Sequence, residues 1–368
     1  MRILIISTVR FRANGISKVI ENFYCNDLFL KDQLYFIFPE DSEISMIDRV
    51  KRFGKVFQVS RKNQAQYFNF IKKLVKEKNI QILHIHGNSH SILLEMIAAK
   101  AGGCKVRIAH SHNTTCNHKV IHFLLSPLFI LSCTDRFSCG HEAGTWMFGK
   151  KEFKVIHNGI DIEGYSFSQI NRNVIRQKYA IGERVCLLGH VGNLNSQKNQ
   201  IYILDILSSL LQAGGEYRLI LVGEGTLKDS IKKRAKELCI LEYIIFAGVT
   251  NNVSAYLSAM DMIVMPSLYE GLPLALIEEQ ANGLDCVVAD TITLEVDKTG
   301  NVCFLPLEKP QLWVSEIDDR RRSYDITSRK KKSVDAIERI TNAGYNVAEE
   351  RERLRKYYAD ALCRVSDQ

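Results

Sequence analysis

The sequence lacks the features that mark three common kinds of protein. Its ten cysteines are scattered and form no C-x-x-C pair, which favours buried free thiols in a reducing compartment over disulfides or zinc. No apolar run reaches the ~20 residues that a membrane-spanning helix needs. No basic segment is interleaved with aromatic residues, so no motif supports a nucleic-acid site.

The composition that is present indicates two domains and an anionic partner. A chain of 368 residues, of which 46% are hydrophobic, can fill two cores. The formal net charge of +8 suits nucleotide phosphates, an acidic membrane surface or nucleic acid, and the last has no supporting motif. Because a strand is predicted from the second residue onward, we expect no signal peptide and a cytoplasmic protein.

Short apolar runs alternate with helical segments along most of the chain. The predicted strands of the first half are residues 3–7, 34–38, 56–59, 82–86, 106–109, 136–138 and 154–156, and a second series begins at residues 185–190. This alternation predicts an α/β fold with parallel, doubly wound sheets. Such sheets bind ligands at the carboxyl ends of their strands. Polar residues 165–178 separate the two series and are predicted to bridge two domains.

Residues 262–290 are the most informative stretch, because they predict a strand–loop–helix–strand unit. Pro273 suits the first helical position, where its missing N–H is no loss, and Asn282-Gly283 ends the helix. The helix then begins at the carboxyl end of a strand, where unpaired N–H groups and the helix dipole attract anions. Glu270 in the loop and Glu278 in the helix would bracket such an anion. The alternative is an ordinary surface loop and an amphipathic helix with solvated acids.

The segment EGLPLALIEEQANGL, which starts at Glu270, resembles the E-x7-E motif of the retaining glycosyltransferases of family four. The surrounding pattern Pro-Ser-x-x-Glu-Gly-x-Pro strengthens the resemblance. The family has the GT-B architecture, in which two Rossmann-like domains face a cleft. The resemblance implies that Glu270 lies beside the donor sugar and that Glu278 binds the ribose hydroxyls. It also implies that backbone at Gly271, Leu272 and Pro273 approaches the sugar and the diphosphate.

Glycines at other strand ends carry further resemblances to this family. Gly15 is similar to the glycine loop after the first strand, usually Gly-Gly, and would let backbone approach a ligand phosphate. Gly223 and Gly225 match a V-G-x-G segment of the donor-binding domain. Val249 and Thr250 lie where family members place backbone against the nucleobase.

The phosphate-binding segment departs from the family pattern at one position. Lys198 matches the lysine that holds the donor diphosphate, but Asn193 stands where the family has arginine. The departure removes one positive charge and a bidentate hydrogen-bonding group. Arg10 or Arg12 could replace that charge from the other domain.

Two H-x-H pairs end predicted strands, at residues 84–86 and 110–112. Alternate residues of a strand share a face, so such pairs could bind a metal ion, although no carboxylate or cysteine completes a cluster. They could also be hydrogen-bonding loop histidines. The resemblance instead implies that RIAHSHNT carries the active-site histidine, with His112 the better match and His110 the second. We expect no metal, and no cofactor apart from the nucleotide-sugar co-substrate.

Two other segments bear on membrane binding. The apolar residues 119–133 are too short to span a bilayer and are interrupted by Pro127, which favours a core helix; the alternative is an interfacial segment. The basic run at residues 320–332 is typical of a solvated face, or of a surface that touches anionic lipid.

Together the resemblances imply a metal-independent, retaining glycosyltransferase that uses a nucleotide-sugar, and we expect a UDP-sugar. Residues 1–165 would bind the acceptor, residues 166–345 the donor, and a helix within residues 346–368 would cross back. The stretch LPLALIEEQANGLDCVVADTIT resembles bacterial exopolysaccharide and capsule glycosyltransferases, which implies a saccharide or lipid-linked acceptor and a peripheral position at the inner face of the cell membrane. Asn193 motivates one alternative, a non-catalytic nucleotide-sugar binder or partner subunit. A sugar-nucleotide epimerase is the other alternative.

Overall fold

The computed structural model describes residues 1–12, 14–116 and 118–366, and the chain forms two compact units. Unit 1 comprises Met1–Gly159 and Gly344–Gln368, and unit 2 comprises Ile160–Ala343. Each unit contains one parallel sheet whose strands are apolar and largely buried, as expected when helices cover both faces of a sheet. The predicted α/β class is confirmed.

The sheet of unit 1 has seven strands in the order β3-β2-β1-β4-β5-β6-β7. The strands are β1 (Arg2–Ser7), β2 (Gln33–Pro39), β3 (Gly54–Val59), β4 (Ile82–His86), β5 (Val106–Ser111), β6 (Asp135–Ser138) and β7 (Lys154–Val155). The helices are α1 (Gly15–Tyr24), α2 (Ile44–Val50), α3 (Gln64–Glu77), α4 (Leu93–Ala101), α5 (Lys119–Ser132) and α6 (His141–Phe148). All neighbouring strands run parallel, so their carboxyl ends lie along one edge.

The sheet of unit 2 has six strands in the order β10-β9-β8-β11-β12-β13. The strands are β8 (Cys186–Val191), β9 (Tyr217–Val222), β10 (Ile244–Gly248), β11 (Met262–Met265), β12 (Asp285–Ala289) and β13 (Val302–Leu305). The helices are α7 (Gln169–Lys178), α8 (Gln200–Gln212), α9 (Lys228–Glu237), α10 (Val253–Ala259), α11 (Leu274–Ala281), α12 (Pro310–Arg322) and α13 (Ile326–Asn342). The loops after β8 and β11 therefore meet at the middle of the sheet edge, because these strands are neighbours.

The last helix, α14 (Val347–Ser366), is part of unit 1. The hydroxyl of Tyr358 lies 2.7 Å from that of Tyr24 in α1, and both side chains are fully buried. Arg351 donates a hydrogen bond to the carbonyl of Asn22. Buried polar groups are stable only when they are paired, so these contacts fix α14 against the first unit.

The polar segment 165–178, predicted as a bridge, instead contributes to the interior of unit 2. It contains α7, whose Arg172 and Arg176 are buried and lie 2.7 and 3.0 Å from the carboxylate of Asp261. The Arg172 guanidinium also bonds the carbonyl of Ala259. A charge removed from water needs such partners, which explains why a polar sequence forms a packed helix here.

Helix α5 is not the core helix that its apolar sequence predicts. Its buried residues are His122, Phe129 and Ser132. Six large apolar side chains are exposed instead: Val120, Ile121, Phe123, Leu124, Leu128 and Leu131. The helix also continues through Pro127. In the described parts of the chain, no helix combines the length and the apolarity that crossing a membrane requires.

Much of the basic run at residues 320–332 is paired within unit 2 rather than presented as a free basic face. Lys332 and Arg320 both bind the carboxylate of Asp285, at 2.7 and 3.2 Å. Arg329 is buried and donates to the carbonyl of Leu257 at 2.7 Å. These pairs hold α12 and α13 to the sheet, so only part of the run remains for other partners.

Candidate functional site

Lys198 and Glu270 form an ion pair at the sheet edge of unit 2. Lys198 lies in the loop between β8 and α8, and its Nζ is 2.6 Å from Oε1 of Glu270, in the loop between β11 and α11. The two side chains are only 15% and 9% exposed. Gln197 Nε2 donates to the other Glu270 oxygen at 3.3 Å and to the carbonyl of Tyr269 at 2.9 Å. The fold thus brings together two of the predicted catalytic residues.

A buried hydrogen-bonded chain fixes the loop that carries Lys198. His190 in β8 donates its Nδ1–H to the carbonyl of Val264, 2.9 Å away, which leaves Nε2 as an acceptor. Gln200 Nε2 lies 3.1 Å from that nitrogen and 2.9 Å from the carbonyl of Asn193. The side chain of Asn193 itself is exposed. Sequence reasoning missed His190 and Gln200, because their role depends on contacts across two strands.

Gly223 and Gly225 allow the loops after β8 and β9 to touch. A Cβ at Gly223, where φ is +138°, would lie 2.0 Å from the carbonyl oxygen of Gly192. A Cβ at Gly225 would lie 2.2 Å from the carbonyl oxygen of Leu194. Any side chain would therefore push these loops apart, which explains why both glycine positions of the V-G-x-G segment are glycine in this chain.

Helix α11 starts one residue later than predicted. Pro273 has a non-helical ψ of 111° and is the N-cap, and no side chain caps the first turn. The first-turn amides therefore point toward the loop that holds Gly271 and Leu272, an arrangement that suits an anion. Pro273 has no N–H and contributes only its carbonyl, which accepts from Leu276 at 3.1 Å.

Two acids of α11 lie beside this loop, and only one of them was predicted. Glu278 is 8% exposed. The pKa of Tyr165 is raised first by the burial of Tyr165 itself, and then by the charge of Glu278 and the hydrogen bond between the two side chains. Glu279 is fully buried, and neither of its carboxyl oxygens has a partner among the described residues. Burial raises the pKa of Glu279 well above its usual value, Lys198 opposes that shift, and the charges of Glu278 and Glu270 add to it. Burial therefore favours the neutral form of Glu279.

Val249 and Thr250 are the remaining predicted residues of unit 2, and neither is buried. Val249 is exposed just after β10, and the Thr250 hydroxyl accepts a hydrogen bond from the backbone N–H of Asn252 at 3.1 Å. Gly248 before them has φ +72°, a left-handed conformation that favours glycine. These residues lie at the same carboxyl edge as the Lys198 loop, two strands away.

The other predicted residues belong to unit 1. Gly15 begins α1, and a Cβ there would meet no atom within 4 Å, so packing within the unit does not require glycine. Arg10 pairs with Asp41, and Arg12 is exposed. His112 follows β5, and its Nε2 lies 2.8 Å from Nδ1 of His86. Burial lowers the pKa of His112 to about 4, so its ring is neutral at pH 7.

We expect the free energy of unfolding to fall as the pH drops from 7 towards 4. Burial lowers the pKa of His190 to about 4, whereas the unfolded ring titrates near 6.5, so the unfolded chain binds more protons in this interval. At about 1.4 kcal/mol for each pKa unit, this ring alone could contribute roughly 3 kcal/mol. Urea unfolding at pH 7.5 and pH 5 measures the effect. The His190→Gln variant should lose part of the difference, and an equal stability at both pH values would contradict the expectation.

Comparisons with known proteins agree with this arrangement. Residues 171–296 match the family described as Glycosyl transferases group 1. The chain is 29% identical over 281 residues to the putative glycosyltransferase EpsF of Bacillus subtilis (strain 168), covering 72% of this chain and 73% of that one. It is 27% identical over 250 residues to the UDP-Gal:alpha-D-GlcNAc-diphosphoundecaprenol alpha-1,3-galactosyltransferase of Escherichia coli, covering 64% and 62% of the two chains.

A solved structure shows the same fold. The crystal structure of Anabaena Alr3699/HepE in complex with UDP superposes with a TM-score of 0.80 and 16% identity, and the match covers 98% of this chain and 100% of that one. The predicted GT-B class, with two Rossmann-like α/β domains, is confirmed.

Proposed function

We propose that this chain, in which residues 171–296 form a Glycosyl transferases group 1 domain, transfers a sugar from a nucleotide-sugar to a saccharide or lipid-linked saccharide acceptor in surface polysaccharide synthesis. The observation that carries the proposal is the Lys198–Glu270 pair beside the uncapped first turn of α11. The name of the Escherichia coli relative, which specifies UDP-Gal and a diphosphoundecaprenol acceptor, supports a UDP-sugar and a lipid-linked acceptor.

The proposed chemistry uses positive charge that the protein already holds. The ammonium of Lys198 and the first-turn amides of α11 would stabilise the charge that develops on the leaving diphosphate. Glu270, which binds Lys198 before the donor arrives, would then turn to the sugar, and Glu278 would bind the ribose. We expect no cofactor beyond the donor, and addition of Mg²⁺ or Mn²⁺ should leave the rate unchanged.

The acceptor end of the reaction is assigned to unit 1. His112 is neutral at pH 7, so in this proposal it binds a sugar hydroxyl as an uncharged hydrogen-bonding partner. Gly15 would let the start of α1 approach a phosphate, because among the described residues no atom lies within 4 Å of a Cβ built there. In this proposal residues 1–165 bind the acceptor and residues 166–345 the donor.

The proposed function is tested by finding the donor and then following the product. Thermal shift against a panel of nucleotide-sugars identifies the donor, because a bound ligand stabilises the folded chain. Transfer to a synthetic diphospho-polyprenyl saccharide, followed by NMR of the product, gives the anomeric configuration. We expect the donor's configuration to be retained. An inverted product would contradict the retaining mechanism, and stabilisation without transfer to any acceptor would favour a binding protein.

The exposed Asn193 keeps a non-catalytic binder as the second candidate, and one substitution separates the two. If the chain is an enzyme, Asn193→Arg should transfer at least as fast as the parent, because it restores a charge at the diphosphate. A charge-assisted hydrogen bond is typically worth ~1.5–3 kcal/mol, so a gain of up to about a hundredfold is possible. The measurement is the initial rate with the best donor. An inactive parent that Asn193→Arg rescues would show that the natural chain only binds.

We also propose that α5 docks unit 1 on the membrane that holds a lipid-linked acceptor. Val120, Leu124, Leu128 and Leu131 recur at helical spacing and are 58–78% exposed. An apolar stripe of this kind on a surface helix inserts at the interface between headgroups and acyl chains. The net charge of +8 adds attraction to anionic lipid.

We expect the triple variant Leu124→Gln, Leu128→Gln, Leu131→Gln to bind vesicles at least about tenfold more weakly, since each buried leucine contributes up to ~1.5–3 kcal/mol. Sedimentation with vesicles rich in phosphatidylglycerol measures binding, which should also weaken as salt is added. Ile170→Gln is the matched control, because Ile170 is 75% exposed but lies in unit 2. If the parent does not bind vesicles and instead dimerises through α5, the membrane assignment is wrong.

A further inference from the structure

Three histidines of unit 1 form a buried cluster. His84 and His86 alternate along β4 and so share one face of the sheet, and the strand register places His110 of β5 beside His86. Each side chain is at most 1% exposed. One ring nitrogen from each lies within 4.8 Å of the others. Three imidazoles held this close, away from water, need partners for their nitrogens.

Two tyrosine hydroxyls lie against one ring nitrogen of His84. Its Nδ1 is 2.8 Å from the hydroxyl of Tyr24 and 2.5 Å from that of Tyr358, and these hydroxyls are 2.7 Å apart. A neutral ring nitrogen either accepts with its lone pair or donates its N–H, and a hydroxyl can do both, so these contacts suit either tautomer of His84.

The other two rings leave nitrogens without partners. Nε2 of His84 is 3.1 Å from Nδ1 of His110, so one of these two rings donates its N–H to the other. Nδ1 of His86 is bound to His112. Nε2 of His86 and Nε2 of His110 have no hydrogen-bond partner among the described residues. Buried polar atoms in this state are costly, which points to an unseen occupant.

We propose that His84, His86 and His110 bind a transition-metal ion of the zinc class. The ion would replace the hydrogen between Nε2 of His84 and Nδ1 of His110, whose 3.1 Å separation is close to the roughly 3.3 Å between nitrogens bound at 2.0–2.1 Å to a tetrahedral ion. The ring that carried this hydrogen keeps it on its other nitrogen, Nδ1 of His84 or Nε2 of His110, so both rings stay neutral. His86 supplies its unpartnered Nε2 as the third ligand.

The surroundings suit this ion better than magnesium or manganese. Imidazole nitrogen is a preferred ligand of zinc, copper and nickel. When Nε2 of His84 binds the ion, the hydrogen of this neutral ring lies on Nδ1, where the hydroxyls of Tyr24 and Tyr358 can accept it and orient the ligating imidazole.

The rings must turn for their lone pairs to converge. The planes of His84 and His86 differ by 11°, and those of His86 and His110 by 31°, which is closer to stacking than to chelation. The χ2 torsion of histidine has broad minima, so the rings can turn about the Cβ–Cγ bond without backbone movement. The described neighbours of the rings are uncharged (Tyr24, Tyr358, Phe137 and His112), so we expect water or hydroxide at the fourth position.

The site is tested by metal content and by its ligand atoms. The full chain is stripped with a chelator, equilibrated with Zn²⁺ and passed through a desalting column, and zinc is then measured per chain. We expect one equivalent, a higher melting temperature, and an X-ray absorption spectrum with three imidazole nitrogens around zinc. His86→Gln and His110→Gln should each weaken zinc binding at least about tenfold, since each removes one ligand.

The matched control is His90→Gln. His90 is a buried histidine of the same unit, but its ring nitrogens lie 2.6 and 2.7 Å from the carbonyls of His122 and Met147 and it is not part of the cluster. This variant should keep its zinc. A parent that takes up no zinc, or zinc that survives the paired His86→Gln, His110→Gln change, would overturn the site. If the paired variant does not fold, the X-ray absorption spectrum of the parent decides: sulfur or carboxylate ligands around zinc would overturn the proposed site.

Discussion

Lys198→Ala should lower the transfer rate at least about a hundredfold while the chain stays folded. The substitution removes a charge-assisted hydrogen bond to the leaving diphosphate, typically worth ~1.5–3 kcal/mol, which is about ten- to a hundredfold in rate. It also leaves Glu270, which is 9% exposed, without its cation, so that a carboxylate faces the incoming phosphates. The two effects act in the same direction. The measurement is kcat/KM with the donor found by thermal shift.

The control for this substitution is Lys332→Ala. Lys332 also pairs with an acid of unit 2, Asp285, at 2.7 Å, but it lies in α13 and outside the proposed site. It should keep near-parental activity. Lys198→Arg retains the charge with a different shape and should fall between the parent and Lys198→Ala. If Lys198→Ala retains parental activity, the charge that stabilises the leaving group comes from elsewhere and the proposed mechanism is wrong.

Glu278→Ala and Glu270→Ala should fail in different ways. Glu278 is proposed to bind the ribose, so its loss should weaken UDP binding roughly tenfold or more, the usual effect of a hydrogen bond to a charged group. Glu270 is paired with Lys198 before the donor arrives. Its removal frees the ammonium, so Glu270→Ala should bind UDP as tightly as the parent or more tightly, yet transfer sugar about a hundredfold more slowly.

Calorimetry with UDP alone and steady-state transfer rates together measure this split. Glu270→Gln keeps the size of the side chain and loses only the charge, so it should reproduce the tighter UDP binding. Glu316→Ala is a control, because Glu316 pairs with Arg320 in α12 and touches no proposed ligand group. Equal losses of UDP affinity in Glu270→Ala and Glu278→Ala would refute the assigned roles.

Some features of the site required the folded chain because they depend on neighbours distant in sequence. Gln197 holds Glu270 from 73 residues away, and His190 bonds the carbonyl of Val264, 74 residues away. Glu279 follows Glu278 directly, yet it is fully buried and burial raises the pKa of its carboxyl, whereas Glu278 is hydrogen-bonded to Tyr165. Hydrophobic periodicity does not show how the surroundings of these two adjacent acids differ, since both belong to the same apolar helix.

The sequence by itself determined the α/β class, the alternation of strands and helices, and the position of the loop before α11. These properties follow from local patterns: apolar runs that a parallel sheet buries on both faces, and a proline and an Asn-Gly pair that bound a helix. Family resemblance added the donor-site residues, and the fold placed Lys198 against Glu270.

Only the tertiary structure decided which apolar and polar segments are buried. Helix α5 has a core-like sequence but faces outward, whereas α7 is polar and buries two arginines on Asp261. The two H-x-H pairs became one cluster only because β4 and β5 are adjacent and in register. Burial and register depend on which elements meet, and no local pattern contains that information.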